Sequence, residues 1–188
     1  MSITNSKPDA DVHIIFSCDQ RLCKKLTNLV DAHIEQSRFN QKSSVILFGK
    51  RSSKQIEKKY PHARIYHSIN GMADCKAIAL TLLKNMPNLF IHYYSSEENA
   101  YIEEQVWPIK MKSNQSNIVN YDLLTVMHLY ISSQLYLAYL ETGLKEATER
   151  SLATSEAAEN AEKSARELRK LYNKIRQAKI TQEVTSGG

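Results

Sequence analysis

Apolar positions divide the chain into two regions of different period. From Val12 to Lys110, short β-type runs alternate with helical stretches. The run Val12-His13-Ile14-Ile15-Phe16-Ser17 reads as a buried strand, and helical periodicity follows through Leu22, Leu26, Leu29, Val30 and Ile34. Ser44 to Phe48 predicts a second strand ending at Gly49, with a short polar helix over about Ser52 to Tyr60. Ala63 to His67 predicts a third strand. Met72 to Met86 returns to helix with Ile78, Leu82 and Leu83 facing inward, and Asn88 to Tyr94 to strand. Tyr101 to Lys110 adds a further strand that Pro108 interrupts. This alternation predicts an α/β fold with a Rossmann-like, largely parallel sheet and helices packed on it.

The polar segment 111–120, rich in Ser and Asn, reads as a linker. Beyond it, from Tyr121 to about Glu183, there is no proline and Gly143 is the only glycine, so 121–185 is expected to form one long helix. Its first part is strongly apolar (Leu123, Leu124, Val126, Met127, Leu129, Tyr130, Leu135, Tyr136, Leu140) and is expected to pack on the sheet. Its second part carries a heptad seam running from Leu144 through Ala147, Ser151, Thr154, Ala158, Ala161 and Ala165 to Leu168, Tyr172, Ile175, Lys179 and Gln182. That seam is made mostly of small residues. They permit close approach of a partner helix but bury too little area to hold a helix of this length alone. The predicted organisation is therefore a polar segment 1–11, a sheet domain 12–110, a linker 111–120 and a helix 121–185, half of a coiled coil.

Charge refines the helix more than the domain. Glu146, Glu149, Glu156, Glu159 and Glu162 dominate early, and Arg166, Arg169, Lys170, Lys174, Arg176 and Lys179 late, giving a basic tip. Such a tip complements the C-terminal helix dipole and also suits an acidic protein surface. The net charge is only +5, with 42% hydrophobic and 24% charged residues, as in an ordinary globular protein. No apolar run approaches the roughly 20 residues of a bilayer span. Met1 to Asp11 has no apolar core of a secretory signal.

Candidate chemistry is sparse. Cys18, Cys23 and Cys75 are an odd set with no C-x-x-C pair, which argues against a disulfide framework and a zinc site. The turn Ser17 to Leu22 lacks glycine and cannot bring backbone N–H groups close to a pyrophosphate, and Gly49-Lys50 lacks the register of a P-loop. His62 and His67 are expected on opposite sides of a strand. His13, His33, His92 and His128 are scattered along the chain, and Glu97-Glu98 and Glu103-Glu104 read as solvated pairs. Neither catalytic residues nor a cofactor or metal are expected.

The final helix contains Tyr172-Asn173-Lys174-Ile175-Arg176-Gln177-Ala178-Lys179-Ile180-Thr181-Gln182-Glu183. It closely resembles the C-terminal signature of F-type ATP synthase gamma subunits, Y-N-x-x-R-Q-A-x-I-T-Q-E. Tyr130, Ser133, Gln134 and Tyr136 resemble the family's Y-x-x-S-Q-x-Y, and Glu149-Arg150 with Ala157, Asn160 and Ala161 its E-R-M-x-A-M-x-x-A-T-x-N-A. In the sheet domain, Asp19, Leu22 and Cys23 match S-D-R-G-L-C-G-G, while Arg21, Lys24 and Lys25 replace its glycines. Phe48-Gly49-Lys50-Arg51 is similar to the stretch after the second strand. Family members begin with a long helix before the first strand, whereas only Met1 to Asp11 precedes Val12 here, so the likeness is to a shortened or divergent gamma subunit.

The resemblance implies a noncatalytic central-stalk subunit of an F1Fo ATP synthase, peripheral on the cytoplasmic face of the membrane, coupling ion flow to ATP synthesis or hydrolysis. It implies alpha and beta subunits, the epsilon subunit and the membrane rotor ring as partners, with no nucleic acid. By matching positions it makes Arg176, Gln177 and Thr181 the contacts with the beta subunit and turns the basic tip toward acidic loops of beta. The alternative it leaves open is a shortened gamma-like paralogue that assists or regulates F1 assembly without turning. A stand-alone flavodoxin-like enzyme is disfavoured by the glycine-free turn, and nucleic-acid binding by the lack of a stacking pattern.

Overall fold

The computed structural model describes residues 11–40, 43–66, 69–84, 88–107 and 123–187. Five strands and four helices follow in the order β1 (Asp11–Phe16), α1 (Lys24–Gln36), β2 (Ser44–Phe48), α2 (Ser53–Lys59), β3 (Arg64–Tyr66), α3 (Met72–Leu83), β4 (Asn88–Ser95), β5 (Ala100–Trp107) and α4 (Leu123–Ser186). The strands form one sheet in the order β3-β2-β1-β4-β5. β3, β2, β1 and β4 are parallel, and β5 returns antiparallel along β4. The expected linker 111–120 lies outside the described residues, as does His67.

Alternation along the strands sorts the core into two layers. Val12, Ile14 and Phe16 of β1, with Leu89, Ile91 and Tyr93 of β4 and Val106 of β5, face Cys75 and Ala79 of α3 and Ile131, Leu135 and Ala138 of α4. Ile15, Val45, Leu47 and Tyr94 face the other way, onto Leu26, Val30 and Ile34 of α1 and Ile56 of α2. Both faces of β1 are therefore dry, as its unbroken apolar run requires of a central strand.

Helix inward faces differ from the sequence expectation in detail. In α1 the buried stripe is Leu26, Val30 and Ile34 at four-residue spacing, while Leu22 and Leu29 are 61% and 40% exposed. Leu22 precedes the helix with φ 71°, in the turn after β1. In α3, Cys75 and Ala79 are fully buried, and Ile78, Leu82 and Leu83 pack around them only partly covered. Small residues at the two closest positions let α3 approach the sheet.

Two devices fix the turns on the α1 side. Lys59 at the end of α2 donates from Nζ to the carbonyls of Ile34 (2.5 Å), Glu35 (2.7 Å) and Ser37 (2.6 Å). It thereby satisfies acceptors left open at the α1 C-terminus. Gly49 after β2 has φ +113°, and a Cβ there would lie 2.5 Å from the carbonyl oxygen of Ser17, so the two loops meet only because this residue lacks a side chain.

Candidate functional site

Helix α4 is held to the sheet domain by a row of polar side chains that accept backbone N–H groups. Glu141 accepts from Ser96 (2.9 Å) and Thr142 from Tyr94 (3.3 Å) at the end of β4. Glu146 accepts from Asp19 and Gln20, both at 3.1 Å, in the turn after β1. Glu149 accepts from Leu26 at 3.0 Å, within the first turn of α1, and its side chain is only 7% exposed. These residues continue the buried stripe of Met127, Ile131, Leu135 and Ala138, which is why one face of the helix supplies the whole row.

The turn after β1 and the α1 N-terminus are where an α/β sheet of this kind offers backbone donors to an anion. Here Glu146 and Glu149 provide that anion from within the chain. The early glutamates of α4, read from sequence only as the acidic part of a segregated charge pattern, thus include two anchoring carboxylates. The signal was available: Glu149 falls at helical spacing from Leu135, Ala138 and Thr142, on the inward face. Lys145 lies 3.9 Å from Glu149 Oε1 and 4.6 Å from the Tyr94 ring centroid, lending the buried carboxylate a cation at the limit of ion-pair range.

Residues 150–188 form a second unit, and 154–187 are exposed throughout. At about 100° per residue, Leu168, Leu171, Tyr172 and Ile175 fall on one side of the helix. They are 66%, 54%, 66% and 59% exposed. Arg166, Lys170, Lys174, Gln177 and Thr181 fall on the opposite side. Thr181 Oγ1 donates to the Gln177 carbonyl at 2.9 Å, so these two predicted contact residues share a face. Arg176 and Arg169 sit on the flank between the sides, and Lys179 falls next to the apolar stripe. Arg166 pairs with Glu162 at 3.3 Å and Lys179 with Glu183 at 3.9 Å, both within the helix. Arg169, Lys170, Lys174 and Arg176 form no ion pair among the described residues.

A family model described as ATP synthase matches residues 2–186. The chain belongs to the ATP synthase gamma family. It is 29% identical over 202 residues to the ATP synthase gamma chain of Buchnera aphidicola subsp. Diuraphis noxia, covering 92% of this chain and 69% of that one. In solved structures, its fold resembles a chain of the Euglena gracilis mitochondrial ATP synthase (OSCP/F1/c-ring, rotational state 3), with TM-score 0.65 and 14% identity over 95% of this chain and 70% of that chain. A chain of the Tetrahymena thermophila mitochondrial ATP synthase central stalk and c-ring matches with TM-score 0.53 and 14% identity over 80% of this chain and 77% of that chain. The protein is thus a gamma-type rotor subunit and not itself an enzyme.

Family membership decides how the first part of α4 is read. No continuous apolar run in the sequence approaches the length of a bilayer span, but interrupted apolar positions within one helix sum differently, and an 18-residue window of α4 is long and apolar enough by composition to cross a membrane. The first part of α4 buries Met127 and packs Ile131, Leu135 and Ala138 into the core on the sheet, however, and its polar row grips the loops of the same domain. It is the seat of the gamma sheet domain. The reach of the apolar surface is smaller than the sequence pattern suggests, because Leu123, Leu124, Val126, Leu129 and Leu140 remain 47–58% exposed.

Three histidines that look scattered in the sequence converge. His13 Nδ1 lies 3.0 Å from His92 Nε2, and His92 Nδ1 lies 2.9 Å from His33 Nε2. Glu103, read as a solvated charge, sits on β5 directly opposite His92, 3.6 Å from its Nδ1. Glu104, on the other face, accepts from the Tyr93 hydroxyl at 3.0 Å. The cause is register: His13 pairs with Phe90 and Ile15 with His92, so side chains separated by 79 residues share one face. A cleft of about 350 Å³ between β2, β3 and α3 is lined by Phe48, Tyr66 and Ile78, with Arg64 and Asp74 its charged members.

Proposed function

We propose that the chain works in the central stalk of an F1 sector, within a membrane-associated ATP synthase and on the cytoplasmic face of the membrane. In this reading the far part of α4 enters the ring of alpha and beta subunits, with Arg176, Gln177 and Thr181 meeting beta. Arg166, Arg169, Lys170, Lys174 and Lys179 face acidic loops there. The sheet domain meets the epsilon subunit and the membrane rotor ring, so that ion flow turns the shaft and sets the state of each catalytic subunit. The sheet domain at 12–110, the linker at 111–120 and the helix at 121–185 are its working parts.

The observation that carries this reading is the two-sided exposure of the far helix. An isolated helix is marginal in water, and one with exposed Leu168, Leu171, Tyr172 and Ile175 on one side needs an apolar cover. The opposite side, with its basic residues and Gln177 and Thr181, is left for a polar surface. The solved structures of similar fold come from central-stalk, rotor and F1/c-ring assemblies, which is the setting proposed.

Co-expression of the full chain with matching alpha and beta subunits tests it. A complex that survives gel filtration, and that dissociates more readily with Arg176→Ala plus Gln177→Ala, is expected. Failure to form any complex, with alpha–beta ATPase activity indifferent to the chain, overturns it.

A further inference from the structure

On the α1 side of the sheet, His13 of β1, His92 of β4, His33 of α1 and Glu103 of β5 form a cluster to which gamma-type function gives no role. One ligand atom from each of His13, His92 and Glu103 lies within 4.8 Å of the other two. His13 is 6% exposed and His92 is fully buried, while the side chain of Glu103 is 44% exposed. An apolar trio like Val45, Leu47 and Ile15 fills the rest of this layer, so the imidazoles stand where burial of polar rings carries a desolvation cost.

We propose that His13, His92 and Glu103 bind one divalent transition-metal ion of the zinc class, with His33 as the outer partner that orients His92. Tetrahedral zinc with bonds of about 2.0–2.1 Å to nitrogen sets neighbouring ligand atoms roughly 3.3 Å apart. His13 Nδ1 and His92 Nε2, at 3.0 Å, need to part by only a few tenths of an ångström. Glu103 Oε2 lies 3.6 Å from His92 Nδ1, on the other edge of the ring from Nε2, so the carboxylate reaches the third position by swinging around that ring from the half-exposed sheet edge, which also provides the entry route from solvent.

The surroundings fix the rings for this purpose. His13 stacks on Phe39 with centroids 3.9 Å apart and on Phe90 at 4.9 Å, which holds the plane of its imidazole. His92 coordinates through Nε2 and gives its Nδ1–H to His33 Nε2 at 2.9 Å, the outer hydrogen bond that orients a ligating histidine. Burial pushes the His13 pKa down to about 4 and that of His92 further, so both rings are neutral at neutral pH. In the metal-free chain the 3.0 Å contact requires His13 Nδ1 to donate to His92 Nε2, so metal binding shifts that proton to His13 Nε2 or releases it. Two imidazoles and a carboxylate favour zinc, cobalt or nickel over magnesium or calcium, which take oxygen ligands. The ion would tie α1 to three adjacent strands, and the fourth coordination position is left to water.

Calorimetric titration of the tag-free full chain with Zn²⁺, and visible absorption on titration with Co²⁺, test the site. One equivalent of metal, absorption of four-coordinate intensity and a metal-dependent rise in Tm are expected. Glu103→Gln and His13→Phe should each weaken binding at least tenfold, the second keeping an aromatic ring between Phe39 and Phe90. Far-UV circular dichroism confirms that both variants fold, and His62→Ala, on the exposed surface, should bind as the wild type does. The proposal is overturned if the wild-type chain takes up no metal, or if both cluster variants bind as tightly as it does.

Discussion

The Glu149 carboxylate accepts the backbone N–H of Leu26 at 3.0 Å across 123 residues of sequence, at a position 7% exposed. Leu26 lies in the first turn of α1, whose N–H groups have no partners inside the helix. A gamma-type subunit needs its long helix to turn with its sheet domain, and this bond joins the two directly.

Replacing Glu149 by Ala leaves that N–H without its acceptor. A hydrogen bond to a charged group is worth about 1.5–3 kcal/mol, and the loss should be of that order. Glu149→Gln keeps an acceptor and should cost about half as much. Urea unfolding monitored by circular dichroism reads both, and equal losses would contradict the assignment. Because Glu146 grips the adjoining turn through Asp19 and Gln20, the Glu146→Ala and Glu149→Ala pair should be non-additive.

Gly49→Ala should destabilise the sheet domain by about 2 kcal/mol or more, since its φ of +113° and the 2.5 Å approach of Ser17 oxygen both exclude a Cβ. The unfolding midpoint checks this, and a change under about 0.5 kcal/mol would show that the two loops part freely.

Much of this domain is legible in the sequence because strand and helix periods differ and its central strands are dry on both faces. The expected run at Ser44 to Phe48 matches β2, and that at Val12 to Ser17 falls one residue later than β1 (Asp11–Phe16) at each end. Leu22 and Leu29 are apolar but lie off the inward face of α1, whose stripe repeats every four residues through Leu26, Val30 and Ile34. Glu146 and Glu149 were hidden by their neighbours Glu156, Glu159 and Glu162, chemically identical but exposed. The histidine cluster could not be read at all, because strand order and register, not spacing, bring His13 beside His92. The helix-tip residues Arg176, Gln177 and Thr181 came from resemblance alone, since an exposed helix gives packing no means to distinguish them.

The three thiols should be inert in the folded chain. Cys18, Cys23 and Cys75 are all buried and free, and burial, aided by neighbouring groups, raises the Cys18 pKa to about 12 and that of Cys75 to about 11. The thiolate is the reactive form, so a disulfide reagent at pH 8 should label essentially none in the native protein and three per chain after denaturation. Rapid native labelling would contradict the packing around α1 and α3.

Arg176→Ala, Gln177→Ala and Thr181→Ala should leave the stability of the isolated chain within about 0.5 kcal/mol, because all three side chains are exposed. Their effect should appear only in complexes with alpha and beta subunits, as faster dissociation and lowered ATPase activity. Equal behaviour of variant and wild-type complexes would remove these residues from the interface.

Rotation itself is the most direct measurement. A cysteine introduced at exposed Lys54 of α2, away from the three buried thiols, can carry a bead while alpha and beta subunits are held on a surface. Adding ATP should turn the bead continuously in one direction, and Glu149→Ala should weaken the torque delivered to it. A chain that stays bound yet motionless while the same complexes hydrolyse ATP would contradict its assignment as a rotor.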